Sequence, residues 1–353
     1  MLTTVEPHNL KPKSWREICL CLLLSLVLTH SLELQARIPA TFVRQGESWF
    51  QGEEGQRIVT HVLSWQTPKG SWPKNIDTAT NLCQEDSSSL DGTFDNGATT
   101  GELRFLARAN QALPNVTVQK AWLRALDLLL EAQYPSGGWP QTFPLERGYS
   151  RHITFNDHTM VGILELLQEV GSAEQYAWID EPRRQQAREA FDLGVECITQ
   201  SQIRIEGELT VWCAQHDAEN LSPQSARSYE LASLSGGESA GILLLLMRLE
   251  DPSPAVIASI RAGVAWYQRS RVKGLRLIRD RQRGRIAVSD PSAPDLWARF
   301  YDLESNQPFF CDRDGIPKDD FNAIGQERRN GYSWYGDYGR PVINAFEAWD
   351  QHH

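Results

Sequence analysis

The chain has no apolar run long enough to cross a membrane. Its main candidate, Ile18–Leu28, covers 11 residues, well short of the ~20 that a span needs. It also lacks an excess of positive charge. Thirty-five basic residues face 45 acidic ones, for a net charge of −10, and this argues against a nucleic-acid partner. Cysteine is scarce, with 6 in 353 residues and no zinc-type grouping, so a disulfide-stapled miniprotein and a structural zinc site are both excluded. An Asp-x-Asp-Asp acid motif is absent as well. Apolar substance is not lacking: 41% hydrophobic against 23% charged residues supports a sizeable core and rules out disorder.

Lys11, Lys13 and Arg16 precede the apolar run, and the stretch after it ends in Leu-Gln-Ala36. Basic start, short apolar run and small residue at the cut are the grammar of a secretory signal. Residues 1–36 are therefore expected to be an export leader, giving a secreted or periplasmic protein with no stable membrane span. An uncleaved N-terminal anchor is the alternative. Cleavage would leave Cys83, Cys197, Cys213 and Cys311, for which one disulfide and four unpaired thiols are both open.

A repeat organises the remainder. Gln66-Thr-Pro-Lys-Gly-Ser-Trp72, Gln133-Tyr-Pro-Ser-Gly-Gly-Trp139, Gln202 through Trp212 and a fainter copy at Trp266-Tyr-Gln268 place glutamines 67, 69 and 66 residues apart. Strongly apolar helices are predicted to start near Gly101, Gly162 and Gly241, and more amphipathic ones over Trp122, Phe191 and Val256. Such a unit cannot bury its apolar face alone. The expectation is a mainly all-α domain over residues 37–353, an α/α toroid of about three inner/outer helix pairs with long loops and a few short strands. Leu209–Cys213 and Leu275–Ile278 are the strand candidates. A run of basic residues from Arg269 to Arg285 reads as a solvated face.

Two groups of residues suit chemistry. Asp95-Asn96 and Asn156-Asp157 each stand just before an inner helix, in adjacent repeats. Oxygen donors at loop ends fit a hard cation such as calcium, and helix capping is the competing reading. Arg227, Arg299, Arg313 and Arg328, followed by Arg329, lie near Gly, Ser and aromatic residues. Guanidinium forks match carboxylates bidentately, so a polymer with repeating carboxylates would suit them; ion pairs with Glu230, Asp312 or Glu327 would also account for them. Trp72 and Trp139 either pack structurally or stack on sugar rings.

Six segments in order carry a resemblance: Asp95–Thr99, Gly137–Pro144, His152–Asp157, Trp212–Asp217, Ala226–Glu230 with Ser233–Ser239, and Gln326–Tyr335. Over about residues 47 to 345 the chain resembles the pectate lyases of polysaccharide lyase family ten. That resemblance implies an α/α toroid that cleaves polygalacturonate, or pectate, by calcium-assisted β-elimination as a monomer. It implies Asp95, Asn96 and Asp157 as calcium ligands, Asn96 with Arg299, Arg313 and Arg328 as substrate-binding residues, and Arg227 as the base. His158 stands where a second acidic residue is expected. An arginine base implies an alkaline optimum, since the group ordinarily titrates above ~12. The competing functions are a non-catalytic pectin-binding relative and a terpenoid cyclase, whose Gln- and Gly-x-Trp-rich repeats the chain approximates.

Overall fold

The computed structural model describes residues 41–352; the leader expected over residues 1–36 lies outside the described residues. Ten α-helices dominate the described residues: α1 (Glu47–Gln51), α2 (Glu53–Ser64), α3 (Thr100–Ala112), α4 (Val116–Glu131), α5 (Thr159–Ser172), α6 (Glu181–Ser201), α7 (Glu238–Leu246), α8 (Pro254–Arg269), α9 (Gln326–Gly331) and α10 (Gly339–Trp349). None of the helices among the described residues is long and apolar enough to cross a membrane.

Two kinds of helix alternate. Outer helices α4, α6 and α8 begin with side-chain caps from Asn115, Asp180 and Ser253, and the last two place a proline in the first turn. Those caps satisfy N–H groups that a helix start leaves unpaired. Inner helices α3, α5, α7 and α10 have no side-chain cap, although Asp and Asn residues stand just ahead of two of them. In α7 the run Gly-Ile-Leu-Leu-Leu-Leu has no polar face, as suits a helix wrapped by neighbours. The inner helices touch in the order α3, α5, α7, α10, and the outer ones in the order α4, α6, α8. A fourth inner helix, α10, packs against both α7 and α8.

Hydrogen bonds from the repeat residues lock each pair to the next. Gln66 Nε2 donates to the carbonyls of Gly70 and Ala121 at 2.9 and 2.8 Å, Gln133 to Gly137 and Ala190 at 2.9 and 2.8 Å, and Gln202 to Thr210 and Ser259 at 2.9 and 3.1 Å. Each glutamine therefore closes its own loop and ties it to the following outer helix. Gly70 and Gly137 (φ +118° and +89°) allow that approach: an added Cβ would come within 2.8 Å of the Arg124 carbonyl or 2.2 Å of the Leu193 carbonyl.

The tryptophans fix the other side. Indole N–H groups of Trp72, Trp139, Trp212 and Trp297 donate to Val62, Leu129, Ile198 and Tyr267, near the ends of α2, α4, α6 and α8, at 2.7 to 2.8 Å. The fourth tryptophan is Trp297, not Trp266. Trp266 lies inside α8 and bonds Asn306, while Gln268 is exposed on the same helix. An inserted antiparallel hairpin, Leu275–Asp280 with Gly284–Ser289, separates α8 from its loop and hides the repeat. The hairpin carries much of the basic run, with Arg276, Arg279, Arg281 and Arg283 exposed, in keeping with a solvated face.

Short strands tie each tryptophan to the segment before the next inner helix. Trp72–Pro73 pairs with Gly92–Thr93, and Trp297–Ala298 with Tyr335–Gly336. Trp139 and Trp212 accept N–H bonds from Thr154 and Ser235 at 3.0 and 2.7 Å. Of the strand candidates, Leu275–Ile278 lies within the hairpin, while only Leu209 of Leu209–Cys213 is in a strand. A second, smaller core of Tyr229, Phe300, Phe309, Phe310, Phe321 and Trp334 supports the C-terminal loops. Among the described residues, Cys83, Cys197, Cys213 and Cys311 form no disulfide.

Glu102 is fully buried on α3, with one carboxylate oxygen accepting from Thr78 at 3.2 Å and the other without a hydrogen-bond partner among the described residues. Burial pushes its pKa up to about 7 from an ordinary 4.5. With the folded value above the unfolded one, its contribution is intact below pH 4.5 and is lost as pH rises through 7. Urea denaturation between pH 4.5 and 9 should show Glu102→Gln removing an alkaline loss on the order of 3 kcal/mol. Parallel profiles for the two proteins would contradict this.

Candidate active site

Two matched turns feed the inner helices. Phe94-Asp95-Asn96 and Phe155-Asn156-Asp157 each bury the phenylalanine and carry their third residue in the left-handed region, Asn96 at φ 54° and Asp157 at φ 49°. Asn and Asp tolerate that region better than other side-chain-bearing residues. Asp95 therefore corresponds to Asn156, and Asn96 to Asp157. The turns lie against each other. Neither Asp95 nor Asn156 caps its helix, so the capping alternative does not hold.

Lys74 pairs with Asp95 Oδ2, which also accepts from Gln141 Nε2; Oδ1 of Asp95 is buried without a partner among the described residues. Asn156 Nδ2 donates to Asp157 Oδ2 at 2.7 Å. Arg299 Nη2 donates to Asn156 Oδ1 at 2.9 Å and lies 3.7 Å from Asp157 Oδ1; it also pairs with Glu238, which accepts from Ser235 Oγ at the start of α7. Burial is the main cause holding the Asp157 carboxyl above its usual range; Arg299 opposes the shift, while the charges of Asp95 and Glu238 add to it. The structure thus brings Asp95 and Asp157 into one electrostatic cluster.

Lys74, Gln141 and Arg299 share a feature that the sequence reading missed. Each stands two residues after a repeat tryptophan, so the same strand geometry aims all three at the acidic turns. At the remaining position Ala214 has no polar side chain, and its carbonyl accepts from Phe155 and Asn156 N–H groups at 2.9 and 3.1 Å.

The other arginines gather around two tyrosines. Arg227, Arg328 and Arg313 lie 5.0, 4.5 and 5.8 Å from the Tyr229 ring centre, and Arg299 and Arg227 lie 4.9 and 5.8 Å from that of Tyr332. The two rings meet edge-on at 5.5 Å. Arg299 therefore belongs to both groups and joins them. Ion pairs are present as well: Arg227 with Glu230, and Arg313 and Arg328 with Glu327. Asp312 instead pairs with Lys318. Arg329 is tied to backbone carbonyls of Arg283, Arg285, Asn322 and Ile324 and has a structural role.

Some expectations change. Trp72 and Trp139 are fully buried, so neither stacks on a sugar. His158 turns along α5 to Glu165, 3.3 Å away, and does not replace the expected acid in the cluster. Arg227 is pushed further up from its ordinary pKa, chiefly by hydrogen bonding to Glu230 with burial opposing. That direction is opposite to the one a base requires.

No group of three or more His, Cys, Asp or Glu side chains with metal-binding potential occurs among the described residues. Asp95, Asn96 and Asp157 nevertheless offer hard oxygen donors, and Asp95 Oδ1 is buried without a hydrogen-bond partner among the described residues, while Lys74 offsets the carboxylate charge through Oδ2. This donor set fits part of a calcium shell of six to eight oxygens and leaves the remainder to substrate or water.

Residues 66–343 match the sequence profile of the family described as pectic acid lyase. Among solved structures, the chain is similar to a family 10 polysaccharide lyase from Cellvibrio cellulosa, at 36% identity and TM-score 0.78 over 86% of this chain and 95% of that one. It is also similar to a mutant of a family 10 polysaccharide lyase from Cellvibrio cellulosa in complex with trigalacturonic acid, at 36% identity and TM-score 0.77 over 85% and 96% of the two chains. A search among curated proteins finds no match.

The Arg299–Glu238 pair is shielded, its side chains 13% and 5% exposed. Arg299→Met would strand the Glu238 charge and is expected to cost about 3–5 kcal/mol in urea denaturation. A loss below about 1 kcal/mol, the range of an exposed pair, would show that water readily replaces the guanidinium.

Proposed function

The chain belongs to the pectic acid lyase family and is a polysaccharide lyase, and on that premise we propose that it is an exported pectate lyase cleaving α-1,4-polygalacturonate by calcium-assisted β-elimination. One observation carries the reading: the Arg299 guanidinium lies between the acidic turns and the arginine–tyrosine group. A polymer of uronates needs both, cations for its carboxylates and oxygen donors for a shared metal ion. We take the helix pairs as an incomplete α/α toroid and residues 37–353 as a single, monomeric catalytic domain. The family assignment sets aside the terpenoid-cyclase reading.

Elimination breaks the C5–H bond, forms the C4=C5 double bond and expels O4, which leaves with a proton. The C5 proton is only weakly acidic while the adjacent carboxylate keeps its charge. Arg299 and Arg328 would donate to uronate carboxylates through their guanidinium groups, with Arg313 and Asn96 contributing further contacts. Such preorganised donors stabilise charge as it develops. Asp95, Asn96 and Asp157 would hold the calcium ion, which when bound supplies a Lewis acid that offsets charge on the uronate.

Arg227 would take the proton. Nε and Nη2 are engaged by Glu230, so Nη1 is its remaining nitrogen. A guanidinium that must be neutral to act gives activity rising with pH on the alkaline side. With polygalacturonate, near-ultraviolet absorbance should rise as unsaturated products form, and a chelator should abolish the rise. Arg227→Ala should cut kcat by roughly 10²–10⁴-fold with trigalacturonate affinity retained. Chelator-insensitive turnover would remove the calcium role, and full turnover in Arg227→Ala would remove the base role.

A further inference from the structure

We propose that Glu230 is a positioning residue for the reaction: it holds the Arg227 guanidinium so that Nη1 alone is presented to the substrate. The inference rests on the reading of Arg227 as the base. Glu230 Oε2 accepts from Arg227 Nε at 2.7 Å and from the Arg227 backbone N–H at 3.2 Å, and Oε1 accepts from Nη2. The Glu230 N–H returns a bond to the Arg227 carbonyl at 2.8 Å. Four residues of chain thus close on themselves and fix a side chain that would otherwise sample many rotamers.

Burial is asymmetric. The side chain of Glu230 is 6% exposed and that of Arg227 is 43% exposed. The carboxylate is thus the anchored partner, and the guanidinium is the one turned outward. Tyr332, on a segment 102 residues away, donates its hydroxyl to Glu230 Oε1 at 2.6 Å. Burial pushes the Tyr332 hydroxyl far up, so it remains a donor. Burial also pushes Glu230 up, but bonds from Arg227 and Tyr332 outweigh it and keep the carboxylate ionised. Nη1 of Arg227 has no hydrogen bond among the described residues.

The arrangement has opposing effects. The Glu230 anion favours the protonated guanidinium, whereas Arg299 beyond Tyr332, and Arg328 and Arg313 beyond Tyr229, disfavour it. Removing the negative charge should therefore ease deprotonation of Arg227 while releasing its orientation. A catalytic group out of position can lose about 10²-fold in rate.

The test measures kcat, KM, melting temperature and the pH profile of kcat/KM for Glu230→Gln, Glu230→Asp, Tyr332→Phe and Arg227→Ala on polygalacturonate. Glu230→Gln should lower kcat by roughly 10–100-fold, leave KM within about threefold, and move the alkaline limb down by about one pH unit. Glu230→Asp should restore the limb toward its wild-type position, and Tyr332→Phe should lower kcat by a smaller factor. If Arg227→Ala is inactive while Glu230→Gln keeps the wild-type kcat and profile, Glu230 does not position Arg227. Lower kcat with an unmoved limb and a reduced melting temperature indicates a structural role and also overturns the inference. Normal turnover in Arg227→Ala removes the reading of the base itself, and this inference with it.

Discussion

One shielded guanidinium, that of Arg299, joins two groups of opposite charge. On one side stand Asn156, Asp157 and Glu238; on the other stands the Tyr332 ring, beyond which lies Arg227. A shielded charge is tolerated only when neighbours compensate it. Here Glu238 is the close counter-ion, so Arg299 can remain ionised in the wall of the site while Asp157 is left less fully paired at 3.7 Å. The balance leaves cationic and oxygen-donor groups side by side, with Asn156 and Asp157 next to the close Arg299–Glu238 pair, as an anionic polymer and a divalent cation would require.

That balance depends on the helical frame beneath it. Each repeat glutamine ties its loop to the next outer helix, and each repeat tryptophan ties the loop to the preceding one. Individually such bonds contribute about 1 kcal/mol, but they share loop geometry across the repeats. Lys74, Gln141 and Arg299 therefore reach the acidic turns from equivalent positions after Trp72, Trp139 and Trp297. The repeat is a stability device and also a positioning device, and three different side chains at one structural position divide the work between neutralising and contacting the carboxylates.

Much of this frame is legible in the chain because backbone satisfaction imposes a residue type. A glutamine that spans two carbonyls and a tryptophan that fills a core recur at near-constant spacing, and the helix pairs follow. The fourth copy is hidden because the hairpin Leu275–Ser289 separates α8 from Trp297. The pairs Asp95-Asn96 and Asn156-Asp157 are visible in the sequence, and the Thr-Phe that precedes each already sets their register. The left-handed conformations of Asn96 and Asp157 agree with it, so the two carboxylates occupy different positions in their turns. Glu238 escapes a sequence reading for another reason: it matters through the arginine it holds, and that partner is 61 residues away.

The claim that the acidic turns and the arginine–tyrosine group form one uronate site is tested most directly by a crystal structure of the Arg227→Ala protein with trigalacturonate and calcium. The account predicts uronate carboxylates on Arg299 and Arg328, with the cation between substrate and the Asp95 and Asp157 carboxylates. A trimer lodged instead in the groove of about 780 Å³ lined by Tyr134, Arg151, His152 and Asp217, with Arg299 untouched, would contradict it.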